Sequence, residues 1–237
     1  MIDIHSHLLF DIDEGAKTLQ DSLEIARVLA DNGFNRVVGT PHVLSGVYNN
    51  TPEQITIRVQ EVNQALEREK IPVKILCGAE YYIDFVFYKS LSTPGAILTI
   101  NNTGKYVLVE LPMIDIPNVI DNIIFQIKVH GLTPVLAHPE RNAAIISKPQ
   151  RAGELKQKGF LLQVNLGSFY GIYGVEAKKT AEVLIDNGAA YCVALDIHSV
   201  EQAKSCVEKG LPALKKIAGD NGVDLLLNKN PGNLISG

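Results

Sequence analysis

Several features of common protein classes are missing from this chain of 237 residues. Tryptophan is absent, aromatic residues make up only 6%, and the formal net charge is −4. This balance offers no basic surface of the kind that binds nucleic acid or anionic lipid. No stretch approaches the roughly twenty consecutive apolar residues that a membrane-spanning helix needs, so we expect no membrane insertion.

Cysteine is also scarce, and its positions argue against a disulfide-bonded protein. Cys77, Cys192 and Cys206 are widely separated and form no CxxC pair. The first residues show neither the basic segment nor the apolar stretch of a secretion signal. We therefore expect reduced thiols and a cytoplasmic location.

Three catalytic motifs are missing as well. The chain has no GxxxxGKS/T loop and no GxSxG elbow, so nucleotide-driven and serine-hydrolase chemistry lack support. A cysteine phosphatase of the Cys-x5-Arg type needs an arginine six positions after its thiolate, but those positions hold Ile83, His198 and Pro212. That phosphatase mechanism is excluded.

Apolar strand-like runs alternate with helical patterns along the whole chain, which indicates parallel strands joined by helical crossovers. With 46% hydrophobic residues and no linker, we expect one domain over residues 1–237. Helix starts are indicated at Thr18 and at Thr51, and a short helix is predicted beyond Leu211. The predicted strands are 2–4, 36–39, 73–77, 106–110, 133–137, 160–164 and 191–195.

What the chain does contain is histidine in short runs of metal-ligand type. Most of these histidines and several carboxylates lie at or near the C-terminal ends of predicted strands, where parallel barrels and doubly wound sheets build their sites. Their number exceeds the needs of one tetrahedral zinc, which favours two or three ions. The candidate ligands are His5, His7, His42, His138, His198, Glu14, Glu80, Glu110 and Asp196, with Asp11 and Asp13 as alternative acids.

Individual candidates also have simpler interpretations. His5 and His7 alternate along an extended segment and can share one cation, although two polar residues at a strand end would look the same. Arg141 offers a planar fork for phosphate oxygens, or a salt bridge to Glu140 or a neighbouring acid. The aromatic residues near Tyr81, like Tyr48, either line an aryl-binding cleft or pack a helix and a loop.

Together these motifs resemble the polymerase and histidinol phosphatase (PHP) superfamily, and within it the bacterial manganese-dependent protein-tyrosine phosphatases linked to capsular and exopolysaccharide synthesis. The resemblance spans nearly the whole chain. The motifs are Met-Ile-Asp-Ile-His-Ser-His at 1–7, Asp13-Glu14-Gly15, Thr40-Pro41-His42, Gly78-Ala79-Glu80-Tyr81-Tyr82, Val109-Glu110-Leu111, Ala137-His138-Pro139-Glu140-Arg141, Gln163-Val164-Asn165 and Asp196-Ile197-His198.

The resemblance implies a distorted (β/α)7 barrel of the TIM-like type, with three divalent ions at its C-terminal rim. Mn²⁺ is the favoured ion, and Fe, Zn or Co would suit the same ligands. The family usually has Asp where this chain has Glu14, so Asp13 is an alternative ligand of the third ion. The implied ligand sets are His5, His7, Glu80 and Asp196 for the first ion, Glu80, Glu110 and His138 for the second, and Glu14, His42 and His198 for the third.

The leading functional hypothesis is metal-assisted hydrolysis of a phosphomonoester, with phosphotyrosine on a protein as substrate. A metal-bound hydroxide would attack phosphorus, Arg141 would neutralise phosphoryl oxygens, and His42 or His198 would assist the leaving phenolate. Tyr48, Tyr81 and Asn165 are predicted to contact the substrate beside Arg141. The resemblance alone implies a bacterial tyrosine kinase of polysaccharide synthesis as a partner.

Other functions remain as alternatives at this point. The metals could act on histidinol phosphate, another small phosphomonoester or a nucleic-acid phosphodiester. The absence of a basic track argues against a polynucleotide. An amidohydrolase acting on a C–N bond also begins with HxH in a barrel, but it commonly has a lysine or two histidines where this chain offers Glu80 and Glu110. A non-catalytic module stabilised by metal is the third alternative.

Overall fold

The computed structural model describes all 237 residues and has an α/β architecture in which strands and helices alternate. No helix combines the length and apolarity needed to cross a bilayer. The strands are β1 Ile2–Ser6, β2 Arg36–Gly39, β3 His42–Val43, β4 Lys74–Cys77, β5 Glu80–Tyr82, β6 Tyr106–Glu110, β7 Thr133–Ala137, β8 Leu161–Asn165 and β9 Ala190–Ala194. The α-helices are α1 Leu19–Asp31, α2 Pro52–Arg68, α3 Phe85–Leu91, α4 Ile120–Val129, α5 Ala143–Ser147, α6 Gln150–Lys158, α7 Val175–Asp186, α8 Val200–Ser205, α9 Leu211–Asp224 and α10 Asn230–Ser236.

The strands form two parallel sheets, in the orders β1-β2-β4 and β3-β5-β6-β7-β8-β9. Only Thr40-Pro41 separates β2 from β3, and only Gly78-Ala79 separates β4 from β5, so each pair is one strand that bends between the sheets. The result is seven strand positions in chain order, as in a seven-unit barrel. No strand ladder joins β9 to β1, but the Asp196 amide donates to His5 O (2.8 Å) and the His7 amide donates to Ile197 O (3.0 Å).

All seven predicted strands are present, and the predicted α/β fold is confirmed. The sequence did not reveal the two short continuations, β3 and β5, because strands of two or three residues carry no periodicity of their own. These continuations matter for the site, since His42 begins β3 and Glu80 begins β5.

The predicted helix starts are also confirmed, because both are fixed by local hydrogen bonds. Thr18 and Asp21 form a capping box before α1, and Thr51 and Gln54 form another before α2. The short helix predicted beyond Leu211 is present, because the helical conformation of α9 is interrupted at Gly219, where φ is 66° and ψ is 176°. The helical segments that follow Gly219, including α10, were not predicted.

The hydrophobic core has two layers. A group of 52 buried residues, including Val37 and Leu136, lies between the strands and the helices. The next residues along the same strands, including Val38 and Val135, belong to a separate group of 11 buried residues that fills the space between the strands. Leu234 of α10 joins this inner group. Ile2, at the N-terminal end of β1, belongs to the same group, whereas the polar candidate ligands lie near the C-terminal ends of the strands.

Candidate metal centre

The deepest part of the site joins His5 of β1, and His7 just after β1, to two acids. Glu80 begins β5, and Asp196 lies just after β9. The Nε2 atoms of His5 and His7 lie 3.2 Å apart, and both face Asp196 Oδ1 at 3.4 and 3.3 Å. Glu80 Oε2 lies 3.2 Å from His5 Nε2 and 3.4 Å from His7 Nε2. The predicted first ligand set therefore converges on one point, with all four side chains buried.

Hydrogen bonds at the Nδ1 atoms fix the orientation and the tautomer of these two imidazole rings. His5 Nδ1 donates to Gln163 Oε1 (2.8 Å), and His7 Nδ1 donates to Asp13 Oδ2 (2.8 Å). With the proton held on Nδ1, each Nε2 directs a lone pair at the carboxylates. This outer support of the imidazole is characteristic of histidines that bind metal.

The carboxylate of Asp196 is held from the other side. Its Oδ2 accepts from Asn165 Nδ2 (2.6 Å) and from Arg141 Nη1 (2.8 Å). Gln163 Nε2 donates to Asn165 Oδ1 (2.8 Å), which links this support to the amide that orients His5. Asn165 is fully buried and its amide is engaged, so the structure corrects the expectation that Asn165 contacts substrate: it positions Asp196.

The outer part of the site contains Glu14, His42 and His198. Glu14 Oε1 lies 2.9 Å from His42 Nε2 and 3.5 Å from His198 Nε2, as the implied third ligand set requires. Asp13 is occupied differently, because its carboxylate accepts from His7 Nδ1, from the His42 amide (3.1 Å) and from the Gly15 amide (2.8 Å). Glu14, and not Asp13, therefore faces the other candidate ligands.

Gly15 allows this arrangement. A Cβ atom at Gly15 would lie 2.0 Å from His7 O, so any other residue would push the segment away from β1. The close approach also lets the Ala16 amide donate to His7 O (3.1 Å). In the Asp-Glu-Gly sequence, Asp13 therefore contacts Nδ1 of His7, and Glu14 faces His42.

Between these two parts, Glu80 and Glu110 meet His42 and His138. Glu80 Oε1 lies 3.1 Å from His138 Nε2, and Glu80 Oε2 lies 2.9 Å from His42 Nδ1. Glu110 is more distant, at 3.7 Å from His138 Nε2 and 4.0 Å from His42 Nδ1. Glu80 therefore contacts histidines of every part of the site, and His42 presents one nitrogen to Glu80 and the other to Glu14. The division of ligands between a second and a third ion stays a prediction.

The pKa shifts of the side chains reflect the many negative charges in the site. Burial opposes the charged form of His42, but the neighbouring carboxylates of Glu14 and Glu80 outweigh burial and raise its pKa to about 10. Burial and repulsion by Glu80 raise the pKa of Glu110 above its ordinary value. Carboxylates that repel each other beside imidazoles are the setting in which a divalent cation is stabilised.

One atom tests directly whether a cation fits. Glu80 Oε2 is buried and lies within 2.9–3.4 Å of three imidazole nitrogens, yet it accepts no hydrogen bond. An orphaned buried carboxylate oxygen is costly unless a cation satisfies it. Hard oxygen and borderline nitrogen ligands together suit divalent transition-metal ions. The residues present therefore fit a group of such ions.

Two of the candidate ligands have a strained backbone. His138 has φ 32° and Asp196 has φ 52°, both in the left-handed region that residues other than glycine rarely adopt. Each follows directly or closely on a strand, β7 for His138 and β9 for Asp196. Strain of this kind is retained where it serves a site, and here it turns both side chains toward Glu80 and His5.

The metal-ligand cluster opens into a cavity of about 330 Å³. Arg141 lies on its wall, where Asp196 holds one end of the guanidinium and the Tyr173 ring lies 4.2 Å below it. The alternative of a salt bridge is therefore present, but with Asp196 and not with Glu140. The buried carboxylate of Glu140 accepts from Ser168 Oγ (2.7 Å) and the Asn165 amide.

An apolar collar surrounds the polar floor of this cavity. It is formed by Leu44, Tyr48, Tyr82 and Met113, and the Tyr48 ring stacks on His42 at 5.8 Å between centroids. Tyr81, in contrast, is buried and its hydroxyl accepts from the Leu98 amide (2.7 Å). Tyr81 therefore does not reach the cavity, which corrects the expectation that it contacts substrate, and Tyr82 lines the cavity instead.

Strand periodicity contained the signal that separates Tyr82 from the neighbouring aromatic candidates, and the signal for Gln163, whose role beside His5 was not predicted. Side chains two positions apart in a strand share a face. Glu80 faces the site, so Tyr82 faces it and Tyr81 faces the helices. Gln163 likewise shares the face of Asn165. Leu44 and Met113 lie in loops and had no such signal.

Nearly the whole chain matches a known family. A family model described as capsular polysaccharide synthesis, CpsB/CapC, matches residues 1–236. The chain belongs to the CpsB/CapC family. The family-level resemblance predicted from the motifs is thereby confirmed.

Individual relatives extend this match over most of their lengths. The tyrosine-protein phosphatase YwqE of Bacillus subtilis is 34% identical over 219 residues, which cover 92% of this chain and 85% of YwqE. The tyrosine-protein phosphatase CpsB of Streptococcus agalactiae serotype V is 31% identical over 211 residues, covering 85% of this chain and 84% of CpsB.

Solved structures agree with the CpsB/CapC assignment. A chain from the crystal structures of YwqE from Bacillus subtilis and CpsB from Streptococcus pneumoniae, described as unique metal-dependent tyrosine phosphatases, has a TM-score of 0.91 at 32% identity. That match covers 100% of this chain and 94% of the other. The lactonase Lmo2620 from Listeria monocytogenes has a TM-score of 0.63 at 12% identity and shares only the fold.

Proposed function

We propose that this member of the CpsB/CapC family is a metal-dependent phosphomonoester hydrolase that acts on phosphotyrosine in proteins. The observation that carries the proposal is the convergence of imidazoles and carboxylates below an open cavity with an arginine on its wall. The relatives described as tyrosine-protein phosphatases support the choice of substrate.

We assign the ions as three divalent cations, with Mn²⁺ favoured. Three overlapping groups of side chains support that number, because within each group the ligand atoms lie within 4.8 Å of one another. Bound divalent ions supply Lewis acidity that activates water at neutral pH and offsets phosphoryl charge. The proposed ligands are His5, His7, Glu14, His42, Glu80, Glu110, His138, Asp196 and His198.

Arg141 is the proposed phosphate-binding residue. One Nη1 hydrogen bond to Asp196 and the ring of Tyr173 hold the guanidinium in place, so little rotamer entropy is lost when substrate binds. The remaining N–H groups are available to the cavity, where a planar fork matches two phosphoryl oxygens and the charge that develops on them.

His42 and His198 are the proposed residues for the leaving group. Both line the cavity beside Glu14. An imidazole that holds a cation cannot donate a proton, so the proton for the departing phenolate oxygen comes from whichever of the two is free of the ion and protonated. A phenol of pKa about 10 requires less of this assistance than an alkyl alcohol. The collar residues Tyr48 and Tyr82 contact the aryl ring, which favours phosphotyrosine over phosphoserine.

The physiological setting follows from the family description. We include a bacterial tyrosine kinase of polysaccharide synthesis among the substrates, because the matched family is named for capsular polysaccharide synthesis. Three free cysteines support a cytoplasmic location. Both points go beyond the hydrolase activity.

A panel of substrates tests the proposed activity. Protein loaded with Mn²⁺ should hydrolyse p-nitrophenyl phosphate and a phosphotyrosine peptide, and should hydrolyse a phosphoserine peptide and histidinol phosphate at least about tenfold more slowly. Dialysis against EDTA should abolish the rates, and Mn²⁺ should restore them, because the catalytic cations are removed and returned.

Arg141→Ala sharpens this test. Loss of a preorganised donor to the transition state should lower kcat by about 100-fold, while Arg151→Ala on exposed α6 provides a matched loss of charge. Activity that survives EDTA, or equal rates for the two arginine variants, would contradict the proposal.

A further inference from the structure

A second cavity, of about 340 Å³, lies outside the metal centre. It is formed between α3 and the beginning of α4, and we call it the apolar groove. Phe85 and Val119, two of its lining residues, are 77% and 59% exposed. Large apolar side chains this exposed on opposite walls of one cavity mark a binding surface more often than an ordinary surface.

The polar groups of the apolar groove are not arranged for catalysis. Asp84 Oδ1 accepts from the Phe87 amide (2.7 Å) and so caps α3. Asn122 is the other polar residue on the wall, and no histidine or cysteine is present. The chemistry that this cavity offers is therefore the burial of an apolar side chain.

The apolar groove is continuous with the rim of the metal-centre cavity along two segments. Tyr82 belongs to the collar, and Ile83, the next residue, lines the groove while its amide donates to Glu110 O (3.0 Å). On the other side Met113 belongs to the collar and Pro117 lines the groove. The strongly exposed Ile114 lies between them.

Chain geometry limits the distance between the two cavities. Phe85 is three steps along the chain from Tyr82, and each step spans at most about 3.6 Å, so Phe85 of the groove lies within about 11 Å of the collar residue Tyr82. An extended peptide covers the same distance in about three residues. A phosphotyrosine held above the metal ligands would therefore place a neighbour about three residues away over the groove.

We infer that the apolar groove binds an aliphatic or aromatic side chain of the substrate polypeptide, about three residues before or after the phosphotyrosine. This inference rests on the proposed function, because it requires a polypeptide to leave the metal-centre cavity over the Tyr82 and Met113 side of the rim. It makes Phe85 and Val119 residues that determine sequence preference, and it leaves catalysis to the metal centre.

Two pairs of peptides test the inference with the metal-loaded protein. In each pair one peptide carries leucine and the other serine, three residues before the phosphotyrosine in one pair and three residues after it in the other. In one of the pairs, unaltered protein should favour leucine about tenfold in kcat/KM, mainly through KM. Phe85→Ser and Val119→Ser should abolish this preference and leave p-nitrophenyl phosphate hydrolysis unchanged. Val175→Ser, at a 64% exposed position on α7, is the matched control and should keep the preference.

The possible results separate this inference from the proposed function. If p-nitrophenyl phosphate is hydrolysed but leucine confers no preference, or if both groove variants keep the preference, the inference is wrong and the proposed function stands. If no phosphotyrosine substrate is hydrolysed, both are wrong. Sedimentation velocity tests the other possible occupant of the groove, a second copy of the chain. A dimer that Phe85→Ser dissociates would assign the groove to that copy and overturn the inference.

Discussion

The inner and outer halves of the metal centre are built differently. In the inner half His5, His7 and Asp196 are buried, and each has a second atom fixed by another side chain. In the outer half the side chains of His42, His198 and Glu14 are 15%, 27% and 41% exposed.

Two of the outer side chains also have less support. Glu14 Oε1 faces the two outer histidines, and His198 Nδ1 is oriented by one backbone oxygen, that of Asp196 (3.1 Å). Orientation by outer partners strengthens metal binding. We therefore expect an inner ion to be held tightly and an outer ion to exchange with solvent.

Removing an inner charge should produce the largest effect. Asp196→Asn removes the carboxylate that faces both inner imidazoles and leaves Arg141 without its partner. We expect loss of bound metal and at least a thousandfold fall in kcat/KM, which corresponds to about 4 kcal/mol. Metal analysis by mass spectrometry and the p-nitrophenyl phosphate rate measure the two losses.

Asp220→Asn on α9 is a matched control, because Asp220 is strongly exposed and contacts only a surface lysine. It should retain full metal content and activity. An Asp196→Asn protein that keeps its metal would remove the distinction between the halves.

Loss of the outer support of an inner ligand should have the next largest effect. Gln163→Met keeps the length of the side chain but removes the acceptor for His5 Nδ1 and the donor to Asn165. Metal affinity should fall about 10- to 100-fold, as is common when such support is lost. Calorimetric titration of the chelated protein with Mn²⁺ measures the change, and Gln157→Met, exposed on α6, should bind as the unaltered protein does.

A smaller effect is expected in the outer half. Glu14→Gln weakens the attraction at His42 and His198 but leaves the inner ligands in place. We expect activity at low Mn²⁺ to fall about tenfold, and excess Mn²⁺ to restore most of it, because only the exchangeable ion is affected. Glu154→Gln on α6 is the control. A loss that excess Mn²⁺ does not restore would place Glu14 with the inner ligands.

The smallest effect concerns the pH dependence of stability in chelated protein. Glu14 and Glu80 raise the pKa of His42 from 6.5 to about 10, against the opposing effect of burial. The stabilisation that follows is fully present below pH 6.5 and is lost as pH rises through about 10. Glu14→Gln should lower this pKa and flatten the decline in Tm between those pH values. Calorimetric scans of both proteins in EDTA test this, and equal slopes would show that Glu14 does not act on His42.

The sequence was informative wherever the cause of a structural feature is local. The capping boxes at Thr18 and Thr51 depend on residues three positions apart, and both helices begin there. The strand at 106–110 is an apolar run that ends in Glu110, and it was predicted with its observed bounds. For the same reason the Glu80 ligand could be assigned to a strand end, although β5 itself could not be predicted.

By itself the sequence determined which residue types are available and that alternating strands and helices would gather them at one rim. Only the tertiary structure decided what each polar side chain does, because that depends on partners distant in the chain. Asp13 supports His7 while Glu14 faces the cavity, since Gly15 packs on the backbone of β1. Asn165 holds Asp196, 31 residues away, and is not free for substrate. Hydrogen bonds of this kind form only when the strands are side by side, and the order of residues along the chain does not contain them.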